Sequence, residues 1–91
     1  MTKIELVKEI ASKTGLGNKD VMVIVENLME TIKTSIANGE EVFLRGFGSF
    51  IIKRRAEKTA RDISKNTTVI VPAHDIPAFR PAKEFFDKVK G

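Results

Sequence analysis

"KRRAEKTARDISKNTT", residues 53–68, decides how the rest of the chain is read. It holds Lys53, Arg54, Arg55, Lys58, Arg61 and Lys65 against only Glu57 and Asp62, with one large aliphatic, Ile63. The stretches on either side, "FGSFIIKRR" and "TTVIVP", are rich in β-formers, whereas the segment between them has almost nothing to bury. The pattern predicts a long two-stranded hairpin that leaves the body near residue 53 and returns near residue 70. Its tip is expected at residues 62–66, with Asn66 suited to positive φ. About ten steps of ~3.3 Å from Lys53 to Ile63 give a reach of ~33 Å. No hairpin needs that length for its own packing.

Charge supports the same division. Residues 1–50 hold six Lys/Arg and seven Asp/Glu; residues 51–91 hold ten and five. The excess of +4 equals that of residues 53–65 alone, so a basic arm stands on a near-neutral body. Such an arm calls for a polyanionic partner.

Upstream, Thr2 and Glu5 fit a capping box opening a short helix, with Ile4, Val7, Ile10 and Ala11 at helical spacing and Gly15 as its stop. A second helix is expected from Gly17 or Asn18 to about Ala37. Its stripe of Val21, Ile24, Val25, Leu28, Ile32 and Ile36 is widened by Met22, Val23 and Met29. The first helix is too small to cover that surface, so a sheet or a second copy must. "VFLR" and "FGSFIIKRR" read as strands around a turn at Gly46, and "TTVIVP" as a later strand. "HDIPAFRPAKEFFDKV" is expected to pass through two prolines into a helix over about residues 81–89, burying Phe85, Phe86 and Val89. Phe47, Phe50 and Phe79 are expected in the same core.

Ninety-one residues make one domain: a helical part over 1–39, a sheet with its arm over 40–81, and a C-terminal helix over 82–91. No apolar run reaches the ~20 residues of a membrane span. Glu5 and Glu9 are unlike a signal peptide, and the absence of cysteine points to the cytosol. No nucleophile, base and oxyanion donor assemble, so no enzyme, cofactor or small-molecule substrate is expected. His74, the single histidine, reads as a solvated loop residue rather than a metal ligand. "GFGS" lacks the third glycine of a phosphate loop and reads as a strand turn.

An arm of this width and charge suits a duplex minor groove, where readout is mostly A·T against G·C. Ile63 at the tip then has two readings: a wedge between stacked base pairs, or a cap resting on its own strands.

"RGFGSF" (45–50), "KRRAEKTAR" (53–61), "VPAHDIPAFRPAKEF" (71–85) and "TGLGNKDV" (14–21) together resemble the bacterial HU/IHF family of histone-like DNA-bending proteins. The resemblance implies an α+β fold: two N-terminal helices, a three-stranded antiparallel sheet with a long β-hairpin arm, and a short C-terminal helix. It further implies an intertwined homodimer that wraps the minor groove, bends duplex DNA and compacts the nucleoid. Lys53, Arg54, Arg55, Lys58, Arg61 and Lys65 are the expected arm contacts. Arg80 and Lys83 match saddle or flank contacts, and Lys3 matches a body contact. Where the family usually has Arg-Asn-Pro at the tip, this chain has Arg61-Asp62-Ile63. Pairing with a paralogue remains open, as does a site-specific IHF-like role suggested by Arg45, or an arm that grips RNA or an acidic protein.

Overall fold

The computed structural model describes residues 1–62 and 64–91. Helix α1 covers Lys3–Thr14 and helix α2 covers Asn18–Ala37. Thr2 caps α1 through its hydroxyl, which accepts from the Glu5 N–H at 3.3 Å. The Glu5 carboxylate turns back to accept from that same hydroxyl at 3.1 Å. Gly15, at φ 78°, closes the helix by donating to the Ala11 carbonyl at 2.9 Å. Val7 and Ala11 of α1 then pack on Val21 of α2, with Met22 and Val25 half-covered beside them.

Strands β1 (Val42–Leu44) and β2 (Gly48–Arg55) flank a turn in which Gly46 takes φ 81° and the Phe47 N–H reaches the Leu44 carbonyl at 3.0 Å. Just before β1, the Glu41 carboxylate accepts from the Ile52 N–H at 2.9 Å, where β2 runs on beyond its pairing with β1. Two short arm strands follow, β3 (Lys58–Asp62) and β4 (Thr67–Val71), paired only with each other. Strand β5 (His74–Pro81) returns antiparallel along β2, giving the sheet order β1-β2-β5, and helix α3 (Lys83–Lys90) ends the chain.

Four readings differ from the expectation. The stretch 74–81, read as a passage into the last helix, is a full strand, because an edge strand tolerates Pro77 and Pro81. The last helix therefore starts at Lys83 rather than near 81, with Ala82 as its cap. His74 begins β5 instead of lying in a loop. The arm also separates later than residue 53: the β2–β5 ladder runs on through Lys53↔Ile76 and Arg54↔Asp75 to Arg55↔His74. Ala56 and Glu57 on one strand, and Pro72 and Ala73 on the other, lie between the two ladders.

An aromatic cluster sits between the sheet and α3. Phe79 lies 5.0 Å from Phe50 and 5.2 Å from Phe47, and Phe47 stacks on Phe85 at 5.3 Å. Phe86 and Val89, expected to be buried, are 58% and 76% exposed in the single chain. The α2 stripe is likewise open, with Ile24 and Leu28 more than half exposed. An apolar cleft of ≈ 750 Å³ between α2 and the sheet is lined by Met29, Ile32, Ile36, Phe50, Ile52 and Ile76. Among the described residues only Val7, Ala11, Val21 and Ile51 are buried hydrophobics, too few to hold a domain of this size by themselves.

Gly48 has the least room of the glycines. A Cβ there would stand 2.5 Å from Phe79 Cζ and 2.7 Å from the Arg80 carbonyl oxygen. Gly48→Ala is expected to destabilise the fold by ~1–3 kcal/mol through overpacking, read as a lower Tm at fixed protein concentration. An unchanged Tm would mean that ring and backbone yield freely.

Candidate nucleic-acid interface

Strand alternation and register decide which cations meet. Along β2, Ser49, Ile51, Lys53 and Arg55 share one face, and Ser49 is paired with Arg80 of β5. That face turns from apolar to cationic as the strand leaves the body: Ile51 is buried, while Lys53 and Arg55 are exposed. Arg80, Lys53 and Arg55 thus lie on one side of the sheet. Arg54 lies on the other, where its guanidinium bonds to Asp75 at 3.1 Å. Lys83 opens α3 and is exposed. Lys3, distant in sequence from the sheet, forms an ion pair with Glu26 of α2.

In the arm, Lys58/Val71, Ala60/Val69 and Asp62/Thr67 project to one side, and Thr59/Ile70 and Arg61/Thr68 to the other. Lys58 and Arg61 therefore take opposite faces of the ribbon. The arm was expected to have no apolar face, but β4 carries no charge and leaves Val69, Ile70 and Val71 exposed. All the arm's cations belong to β3, its approach and the turn. "TTVIV" is β-branched throughout, so its sequence marks no inward side.

The tip is built by side chains. Asp62 Oδ1 accepts from the Ser64 hydroxyl at 2.7 Å, from the Ser64 N–H at 3.1 Å and from the Lys65 N–H at 3.4 Å. Asn66 takes φ 50°, and its side-chain carbonyl accepts from the Arg61 guanidinium. The composition-based reading of the tip passed over Ser64, although Asp-x-Ser is the spacing of a side-chain-capped turn. Ile63 lies outside the described residues.

Two carboxyls have altered acidity, the exposed Glu26 and the half-exposed Asp62. The Ser64 hydroxyl bond is the main cause holding Asp62 below the ordinary aspartate range; desolvation opposes it, and the Lys65 and Ser64 N–H groups add to the lowering. Glu26 is lowered by its hydrogen bond and charge pairing with Lys3. A lowered folded pKa means each contribution is complete at neutral pH and is lost as pH falls through that lowered value, below the ~4 of a free carboxyl.

Compared with known proteins, residues 1–90 match the family described as "Bacterial DNA-binding protein". The chain is 39% identical over 90 residues to DNA-binding protein HU of Thermus thermophilus, covering 99% of this chain and 93% of that one. It is 43% identical over 90 residues to the integration host factor β subunit of Marinobacter nauticus, covering 98% and 92%. Its fold superposes on an Anabaena HU–DNA cocrystal structure with a TM-score of 0.93 at 35% identity, covering 98% and 97%. The chain belongs to the HU/IHF family of bacterial DNA-binding proteins. That family is one of architectural proteins rather than enzymes.

Ser64→Ala is expected to raise the Asp62 pKa toward its ordinary value, followed by NMR of the carboxyl carbon during acid titration. An unmoved titration would show that the hydroxyl bond does not hold in solution.

Proposed function

We propose that two copies of this chain form an intertwined dimer whose β3–β4 arms enter the minor groove of duplex DNA, bend it and compact the bacterial nucleoid. The observation that carries this reading is the arm itself: a separate two-stranded sheet, cationic on one strand, extending a molecule 58 Å long and 29 Å across. An isolated ribbon of this kind is marginal in water and gains order from a ligand. The likeness to an HU structure determined with DNA supports the same partner.

The dimer follows from the uncovered α2 stripe, the apolar cleft beside it, and Phe86 and Val89 of α3. Each copy supplies the cover the other lacks, and a paralogue with the same stripe would serve as well. Helices 1–39, the sheet with its arm, and the last helix then act as one domain. Among the described residues no helix is long and apolar enough to cross a membrane. A cytoplasmic site on the nucleoid fits this use.

Lys53, Arg55, Lys58, Arg61 and Lys65 are assigned to arm phosphates, and Arg80 and Lys83 to the saddle. Arg54 serves DNA only by loosening from Asp75, and Lys3 only by loosening from Glu26. Ile63 is assigned the wedge, its unstacking cost of a few kcal/mol offset by the extra surface that bent DNA contacts.

Arg55→Ala or Lys58→Ala is expected to weaken binding on all sequences and to reduce the slope of log K against log salt by about one unit each. A chain that ignores duplex in dilute buffer, or prefers RNA in direct competition, sinks the reading. Ile63→Ala is expected to shrink the bend, measured by FRET at fixed salt, more than it lowers affinity; an equal bend removes the wedge. Leu28→Glu is expected to split the dimer, visible as halved mass in sedimentation, because it places a charge in the stripe.

A further inference from the structure

The aspartate at the tip raises a question the arm's electrostatics leave unanswered. A carboxylate beside phosphates is repulsive, yet Asp62 is built firmly into the turn. Its Oδ1 is occupied by three donors, from Ser64 and Lys65. Its Oδ2 takes no bond from the described residues. Nor does the adjacent cation neutralise it: Arg61 projects from the opposite face of the ribbon and is engaged by Asn66. Asp62 therefore presents a fixed acceptor with no donating capacity of its own.

On the floor of the minor groove an A·T pair shows acceptors only, adenine N3 and thymine O2. A G·C pair adds one donor, the guanine N2 amino group. An ionised aspartate accepts and cannot donate. Against A·T it meets only like-signed atoms, in a groove whose negative potential is deepest where it is narrow. Against G·C it finds one partner. We propose that Asp62 is a specificity-determining residue, its Oδ2 accepting from the guanine N2 amino group so that the arm tip selects a G·C pair beside the kink. The inference rests on the minor-groove reading above and deepens it, adding a local preference to otherwise unselective binding. Its magnitude is that of one charge-assisted hydrogen bond less the groove's repulsion, roughly five- to tenfold.

Inosine isolates the group in question, because an I·C pair is a G·C pair without the N2 amino group. Three duplexes identical except for the pair flanking one central nick, which fixes the kink, would carry G·C, I·C or A·T there. The expected order for the intact chain is G·C tighter than I·C by about five- to tenfold, with I·C close to A·T. Duplex softness cannot imitate this order, since I·C and A·T pairs are the easier ones to deform. Asp62→Asn keeps an acceptor for the Ser64 N–H and gains a donor. It is expected to bind all three more tightly, with the gain largest on A·T and I·C and the spread reduced to about twofold or less.

Equal affinity of the intact chain for G·C and I·C overturns the assignment while leaving DNA bending intact. An undiminished spread in Asp62→Asn overturns it too, placing the preference elsewhere. Failure to bind any of the three in dilute buffer would instead sink the underlying DNA reading.

Discussion

The ladder between β2 and β5 is the interaction on which the rest depends. Its eight pairs run from Gly48↔Pro81 to Arg55↔His74 without interruption. One face carries Phe50 and Phe79 into the aromatic cluster, while the other passes from Ile51 to Lys53 and Arg55. The same two strands thus hold the sheet to the last helix at one end and project charge at the other. Gly48 marks how closely the ladder is packed, since there is no room at that position for even a methyl group. The Arg54–Asp75 pair lies across its outer end and, at roughly 60% exposure on both sides, fixes register more than it adds stability.

Much of this was legible in the chain. The two helices were marked by Thr2, Gly15 and the stripe from Val21 to Ile36, and Asn66 signalled the tip through its tolerance of positive φ. The cationic run stood out because its charge has no counterpart elsewhere. What stayed hidden depended on partners distant in sequence. Pro77 and Pro81 argue against a strand until β5 is known to be an edge, which local pattern cannot reveal. The extra pairs that move the arm's root beyond residue 53 are made by Asp75 and His74, 21 and 19 positions from their partners. Of the candidate site, residue types could be listed from sequence, but not the separation of Lys58 from Arg61 or the engagement of Arg54 and Lys3 by acids.

The apolar surface has a comparable logic. A chain that buries so few hydrophobic side chains is one half of a core. Folding and association then become one event, and stability depends on concentration. The N-terminal helices provide a small local nucleus around Val7, Ala11 and Val21, while the sheet and α3 remain half-dressed until a second subunit arrives.

The interruption between the two ladders has a mechanical meaning. Residues 56–57 and 72–73 separate a braced root from a ribbon of fixed length, and Pro72 has no N–H with which to bridge the gap. This is the geometry of a hinged arm: the root is held by its ladder, and the ribbon beyond the break is the part that turns. The arm can then follow a duplex by swinging at this joint, while the eight-pair ladder beneath it keeps its register.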